Sequence, residues 1–542
     1  MRKTISGSVF AEMIFCASAA LDEHRQQLND LNVFPVPDGD TGTNMSLTMS
    51  AAAAALRSNT PADLGGAANT AANALLRGAR GNSGVIVSQL FRGLYKGVKG
   101  METIDSLALA GAMQKGVETA YKAVMKPKEG TILTVAKAAA EKAAEISLTT
   151  EDISEVMEKA LAHSEVILDR TPDMLPVLKE AGVVDAGGKG LTLIYRGFYE
   201  ALLREDDTVD PILALDQNAQ KAMEQVRKKT VYCVELMADC GSIADAESKA
   251  AELSEAVKGL GNGVLTGFSG SELKLLIHTE KPGEVLSAAL GFGSLSSVKV
   301  ENTDISHKHV LGLENVVKHD EPRKDIGFIT ISVGDGLEKI FRELGVDHVI
   351  SGGQTMNPST EDILKGAEHV NADHIIVLPN NKNIIMAAQQ ASILSKDKKI
   401  HVLPTKSIPQ GIAAMIGYMP GESVEDNLRQ MEESFMAVTS GSVTYAVRDT
   451  HMGEFEIKEG NFLALRNGDM CKVGEDLMDT TRDLVDAMIS EDTGIFTIYF
   501  GSESSREQAE ELCSYILDKY PSVEVEIQEG DQPIYYFLLS AE

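Results

Sequence analysis

The feature that most restricts how this chain can fold is a change in the period of its apolar residues near position 204. Before it, Ala, Leu and Met recur at helical spacing in Ala51–Leu56, Ala67–Leu76, Val117–Val124, Val135–Ile146, Val156–Ile167 and Leu191–Leu203. From Thr230 the pattern becomes short alternating runs, Val231–Leu236 and Leu273–His278, with helical Ile243–Val257 and Gly283–Leu290 between and after them. Beyond position 325 the apolar runs Ile326–Val333, His348–Ser351, His374–Leu378 and Ile400–Leu403 alternate with helical stretches, a βαβ rhythm that implies a parallel sheet. The end returns to α+β, with Gly494–Phe500, Val523–Ile527 and Ile534–Leu539 as strands and Arg506–Lys519 as a helix. The expected chain is multidomain: all-α over 1–205, small α+β over 206–318, and α/β with a parallel sheet over 325–542. The charged stretch His307–Asp325, which contains a proline, reads as a linker. A length of 542 residues agrees, at about 150 per domain.

Charge narrows the partners. Fifty Lys+Arg against eighty Asp+Glu leave a formal charge of −30, which repels phosphate backbones and anionic lipid surfaces, and no basic patch offsets it. Neither a nucleic-acid partner nor an integral membrane segment is expected. Five cysteines without a C-x-x-C pair argue against a disulfide framework and place the chain in the cytoplasm. Arg2-Lys3 before an apolar run could imitate a secretory signal, but Glu12 interrupts it. Val9, Phe10, Met13, Ile14, Ala17 and Leu21 instead keep helical spacing, the mark of an amphipathic first helix.

The distinctive residues of the first domain lie between its helices. In Asn32–Met45, two prolines and two glycines fix a loop around Asp38 and Asp40, spaced to hold a hard cation. An EF-hand fails, because its twelfth position is Met49 and not Glu. Asx-type turns that cap a helix beginning near Thr43 explain the two aspartates equally well. Arg77–Gly84 could cradle an anion on backbone N–H groups or make a tight helix–helix turn. Glu129–Thr134 and Val184–Gly190 complete a set of four polar glycine loops. The absence of Gly-Lys-Ser/Thr and of G-x-G-x-x-G after a strand excludes the P-loop and dinucleotide folds. The set suits a nucleotide held by metal and backbone amides.

Residues 32–45, Gly78–Gly84, Glu129–Thr134 and Leu175–Asp185 resemble the ATP-binding subunit of dihydroxyacetone kinases, in the branch of bacterial fatty acid kinase. Ile350–Thr360 and Leu378–Asn383 resemble the catalytic subunit of that kinase too, so the likeness spans nearly the whole chain. The resemblance implies a helical barrel that binds ATP and two Mg²⁺ at one end. Asp38, Asp40 and Asn32 would be metal ligands, with Asp38, Asp40 and Thr43 catalytic. Asn44, Asn82, Ser83 and Gly84 would line the nucleotide, with Thr134 and Asp185 nearby. It further implies a fatty acid presented by a separate carrier protein of the DegV type, an acyl phosphate product used in phospholipid synthesis, and a homodimer formed by the middle domain.

The middle domain departs from the family, whose strand carries two His at i, i+2; here those positions are Leu276 and His278. Cys233 and His278, with Cys240 as a substitute, are too few for a four-ligand structural zinc, and a buried free Cys with a satisfied His is the simpler expectation. In the C-terminal domain, which resembles the lipid carriers, Asp335, Ser351, Thr355 and Asn357 are polar candidates at loop ends, positions that helix capping also explains. The rivals are a small-molecule kinase of the dihydroxyacetone type and a non-catalytic protein that senses ATP.

Overall fold

A computed structural model describes residues 2–32, 39–124, 126–204, 232–239, 246–269, 272–302, 323–353, 357–453 and 455–542. Two compact units divide the chain: 1–207 together with 321–542, and 208–320.

The helical part of the first unit comprises α1 (Gly7–Glu23), α2 (Arg25–Asp30), α3 (Thr41–Ser58), α4 (Leu64–Gly78), α5 (Gly81–Val98), α6 (Ser106–Ala123), α7 (Ile132–Ser147), α8 (Ile153–Leu168), α9 (Thr171–Met174), α10 (Pro176–Ala181) and α11 (Ala186–Leu203). Small residues let the long helices pack closely: Ala67, Ala68, Ala71 and Ala72 are buried along α4, and Ala136, Ala139, Ala140 and Ala143 along α7. A Cβ at Gly197 of α11 would stand 2.5 Å from the backbone nitrogen of Ala17 in α1, so these two helices meet backbone to backbone. The larger apolar side chains turn inward around a cavity lined by Phe10, Met13, Phe91, Met113, Met157 and Phe198. Among the described residues, no helix is long and apolar enough to cross a membrane.

The helices run alternately up and down, and the two ends differ. At one end lie the N-termini of α1, α4, α6 and α8, tied by Ile5 N–H to Ile104 O, Gly65 N–H to Met101 O and Ile153 N–H to Arg2 O. Each is capped by its own side chain, Ser6, Asp63, Asp105 and Asp152 respectively. The N-termini of α3, α5, α7 and α11 share the opposite end, as the close approaches of Gly81 to Asn44, Gly187 to Ile132 and Gly190 to Met45 require. There only Asp185 caps its own helix; Asp40, Arg80 and Thr131 make no such bond.

In the rest of this unit β5 (Lys324–Ser332) stands central in a parallel sheet of order β6-β5-β7-β8, with β6 (His348–Ser351), β7 (Ala372–Leu378) and β8 (Lys399–Val402). Six further strands were only partly expected. They form a mixed sheet of order β13-β12-β9-β16-β14-β15: β9 (Thr439–Tyr445), β12 (Phe462–Arg466), β13 (Asp469–Gly474), β14 (Ile495–Phe500), β15 (Glu524–Glu529) and β16 (Phe537–Ala541). The hairpin of β10 (Thr450–Met452) and β11 (Phe455–Ile457) is a separate two-stranded pair, with Ile457 buried against Leu463 of β12.

The second unit is an antiparallel sheet of order β2-β3-β1-β4, made of β1 (Tyr232–Asp239), β2 (Asn262–Ser269), β3 (Glu272–Thr279) and β4 (Ser294–Asn302). Its core joins Val234, Leu236, Leu273, Leu275 and Ile277 to Leu253 and Val257 of α12 (Ala246–Val257) and Val285 of α13 (Pro282–Ala289). Cys233 and His278 are paired residues in the β1–β3 register. Their side chains, and the whole of Cys240, lie outside the described residues, as do Asp38, Thr355 and most of the expected linker.

Two expected loops are shorter than the sequence implied. Gly81–Gly84 and Ala186–Gly190 are first turns of helices, not loop. Their glycines sit in close packing: a Cβ at Gly84 would come within 2.4 Å of Thr48 Oγ1, and one at Gly190 within 2.5 Å of Met45 Sδ, so the neighbouring side chain would have to shift.

Candidate active site

The expected site residues collect at the weakly capped end of the helices, in two groups. The first centres on Asp40, which is 5% exposed. It occupies the N-cap position of α3, yet its carboxylate does not cap. Instead Oδ1 lies 3.4 Å from Asn32 Nδ2, and Oδ2 accepts from Asn357 Nδ2 at 2.5 Å. The capping explanation of Asp40 therefore fails on geometry. Thr43 is bound reciprocally to Asn29, its N–H donating to Asn29 Oδ1 at 3.0 Å and its Oγ1 accepting from Asn29 Nδ2 at 3.1 Å. Asn44, on the first turn of α3, holds Thr48 Oγ1 through its carbonyl at 2.6 Å.

Opposite Asn44 is the start of α5. Gly81, at φ +57°, takes the left-handed backbone that lets α5 begin against the Asn44 side chain. Asn82 and Ser83 are half-buried on the first turn, and Asn82 Nδ2 donates to Asn383 Oδ1 at 3.3 Å. Arg80 turns away from the helix start. Its guanidinium donates to the Asn357 carbonyl at 2.7 Å and lies 3.1 Å from Asp362.

Three of these partners, Asn357, Asp362 and Asn383, belong to the α/β domain. They follow the carboxyl ends of β6 and β7, on α15 (Thr360–His369), α16 (Lys382–Leu394) and the turns before them; α14 (Asp335–Glu343) follows β5. The crevice outside the carboxyl ends of a parallel sheet is where such folds take ligands. Here α5 runs alongside α16, from Asn82 against Asn383 to Gln89 against Gln390. Gln89 Nε2 donates to Gln390 Oε1 at 2.7 Å in the buried seam, and Ala79 and Val85 share one apolar cluster with Ile350, Ile363, Ile384 and Ala387. Ser359 caps α15 in a capping box with Asp362, which leaves Asn357 free of that duty. Asp335 and Ser351 are exposed and take no part in the seam.

The second group stands at the starts of α7 and α11, connected to the first through α11, whose Gly190 lies against Met45. Thr134 Oγ1 donates to Glu129 Oε2 at 2.6 Å and accepts from Gly130 N–H at 2.9 Å, while Tyr121 donates its hydroxyl proton to Glu129 Oε1 at 3.1 Å. Asp185 accepts from Gly188 N–H at 2.6 Å. Although part of its surface stays open, the protein around it pushes its carboxyl up to about 6, against the N–H groups of Gly188 and Ile132 that favour the charge.

A carboxyl raised above its unfolded value holds its proton more tightly in the fold. Its contribution therefore favours folding in acid and is lost as pH rises through about 4 to 6, leaving a cost of up to about 3 kcal/mol for the charged form. Asn caps helices as well as Asp does. Asp185→Asn is accordingly expected to stabilise the chain by about 1–3 kcal/mol at pH 8 and to change little near pH 3.5. Urea unfolding at both pH values checks this, and a loss of stability at pH 8 would show that the charge supports the fold.

The atoms that these side chains could offer a metal are oxygens: the Asp40 carboxylate, both of whose oxygens now face carboxamide Nδ2 groups of Asn32 and Asn357, and the carboxamide oxygens of Asn32, Asn44, Asn357 and, at the neighbouring start of α5, Asn82. Two of those oxygens, Asn82 Oδ1 and Asn357 Oδ1, are buried without a hydrogen-bond partner among the described residues. Oxygen donors with spare acceptor capacity fit Mg²⁺, which uses one or two carboxylates and keeps several waters. Among the described residues no three His, Cys, Asp or Glu side chains converge on a point. Sequence reasoning missed Asn29 and Arg80, because nothing in their local pattern tells which distant residues they meet.

Three stretches of the chain match family models. Residues 35–200 match the DAK2 domain, residues 229–310 the FakA-like middle domain of fatty acid kinase, and residues 327–542 the FakA-like C-terminal domain. Protein YloV of Bacillus subtilis (strain 168) is 40% identical over 552 residues, covering all of both chains. A fatty-acid-binding DegV family protein from Thermus thermophilus aligns over 40% of this chain and 99% of its own, at 16% identity and a TM-score of 0.31. The dihydroxyacetone kinase of C. freundii in complex with AMP-PNP and Mg²⁺ aligns over 41% of this chain and 49% of its own, at 12% identity and a TM-score of 0.30.

Proposed function

Because the chain belongs to the FakA-like family of fatty acid kinase proteins, we propose that it is the ATP-using component of a fatty acid kinase. It transfers the γ-phosphate to a fatty acid held by a separate DegV-type carrier, and the acyl phosphate serves phospholipid synthesis. The observation that carries this reading is the gathering of four helix N-termini at one end of the helical domain, with a buried carboxylate and carboxamides at the starts of α3 and α5. Helix N-termini attract phosphate through their free N–H groups and dipoles.

Asp40, with Asp38 and Asn32, would hold two Mg²⁺; bound there, the metal neutralises triphosphate charge during transfer. Asn44, Asn82, Ser83 and the close-packed Gly84 would line the nucleotide, Asn82 offering its unpartnered oxygen. Thr43, kept in place by Asn29, would present its hydroxyl beside the phosphates. Thr134 and Asp185 order the starts of α7 and α11 at the same end. No general base is needed, because a fatty acid carboxyl with a pKa of about 4 to 5, like a carboxyl side chain, is already ionised at neutral pH. Residues 1–205 would bind ATP, 206–318 join two copies into a homodimer, and 325–542 meet the carrier, all in the cytoplasm.

At a net charge of −30 the protein repels a free carboxylate, and a carrier with a basic docking face offsets that repulsion. Turnover of ATP is therefore expected to be slow with free fatty acid and at least about a hundredfold faster with carrier-bound fatty acid, a rate gain of about 3 kcal/mol. Release of ADP, measured with free fatty acid, with dihydroxyacetone and with loaded carrier, decides the matter. Fast turnover of dihydroxyacetone would install the small-molecule kinase, and binding of ATP without turnover on any acceptor would leave a nucleotide sensor.

A further inference from the structure

Asn357 reaches from the α/β domain into the centre of the helical site, and its chemistry there is only half used. It is 1% exposed and leaves the capping of α15 to Ser359. Arg80 fixes its backbone carbonyl at 2.7 Å, so its side chain enters the site from a held position. Nδ2 then donates to Asp40 Oδ2 and lies 3.4 Å from Asn44 Oδ1. The other end of the same amide, Oδ1, is buried without a partner among the described residues, as is Asn82 Oδ1 from the opposite side of the seam.

A buried amide oxygen left without a donor is unfavourable, and such groups are rare unless a water or ion supplies what is missing. The one on Asn357, whose Nδ2 holds Asp40, requires an O–H or N–H donor. A metal-bound water is such a donor. Its protons are polarised, and Mg²⁺ keeps several waters when one or two carboxylates bind it. Partners that orient a ligating carboxylate belong to the second layer around a metal, and losing one typically weakens metal binding by about 10–100-fold.

We propose that Asn357 is a positioning residue for the metal end of this site, supplied by the C-terminal domain. Its Nδ2 fixes the orientation of Asp40, and its Oδ1 would accept a hydrogen bond from a water carried by a cation that Asp40 holds. The site is then composite, complete only with the two domains docked, and binding of the cation and closure of the seam favour one another by reciprocal coupling. This rests on the kinase reading of Asp40.

Manganese serves as the probe, with EPR titration of Mn²⁺ alone into the full chain and no nucleotide. Asp40→Asn should abolish the tight site. Asn357→Ala should weaken it at least about tenfold, with its melting temperature recorded alongside. Gln390→Ala removes one seam hydrogen bond away from Asp40 while the apolar contact keeps the domains docked, and should leave Mn²⁺ affinity within about twofold, so that a change elsewhere in the seam is separated from a loss at the metal. Equal weakening by Asn357→Ala and Gln390→Ala would overturn the proposal. So would Asn357→Ala binding Mn²⁺ as tightly as the unaltered chain, or more tightly, the latter meaning that the amide competes with the cation. If the unaltered chain shows no Mn²⁺ site that depends on Asp40, the kinase reading falls as well.

Discussion

Asp40→Asn is expected to lower phosphoryl transfer at least about a thousandfold while the melting temperature stays level or rises. Metal neutralisation of a transferring phosphoryl group is worth several kcal/mol, and about 4 kcal/mol corresponds to that factor. The amide keeps the shape of the side chain and removes its charge. Because the Asp40 carboxylate makes no cap bond to α3, no helix start depends on it, and neutralising a group that is 5% exposed removes a desolvation cost that offsets the loss of the weaker amide contact, the 3.4 Å one to Asn32. Asp38→Asn should behave alike if the resemblance assigns its role correctly. Initial rates with loaded carrier, set beside thermal melts, check both variants. A variant that keeps more than a tenth of the rate removes Asp40 from the metal set. One that loses rate and stability together would return it to a structural role.

The sequence displayed its elements more clearly than their meeting places. Helical period over 1–203 and the βαβ rhythm after 325 were legible because each reflects which face of an element is buried, a local property. Glycine misled. Gly84 and Gly190 read as loop residues, yet each sits inside a first helical turn, packed so close to Thr48 or Met45 that a Cβ would force the neighbouring side chain to shift. That constraint comes from a neighbouring helix and leaves no local mark. The strands β9, β12 and β13 went unseen because short runs such as Phe462–Arg466 carry too few residues to establish a period. Among the candidate site residues, Asp40 stood out from its loop, whereas Asn44 and Asn82 were named only through the family resemblance. Asn357 was visible only as a polar residue near a helix start, a place where capping is the common explanation. What the sequence could not convey is that Ser359 does the capping, which turns Asn357 317 positions back along the chain to Asp40.

The seam itself carries the second large effect. Ala79 is fully buried in the apolar cluster of the α/β domain, and its carbonyl accepts from Thr360 N–H at 3.1 Å. The exposed and half-exposed ion pairs along the rim, Arg77 with Glu361 and Arg80 with Asp362, add at most about 1 kcal/mol each. Cohesion must therefore come mainly from the apolar contact of Ala79 and Val85 and from the buried Gln89–Gln390 bond. A carboxylate at position 79 would be buried beside Ile363 and Ala387, and the neighbouring Arg77 and Arg80 are already paired with Glu361 and Asp362, so it would cost several kcal/mol. Undocking relieves that cost without unfolding either domain. Ala79→Glu is thus expected to divide one cooperative thermal transition of 1–207 with 321–542 into two, and to weaken Mn²⁺ binding in step, because Asn357 leaves Asp40 when the seam opens. Calorimetry of the full chain reads the first effect and EPR the second. An undivided transition at an unchanged temperature would mean that Ala79 is not held in a dry interface, and the composite site would lose its physical basis.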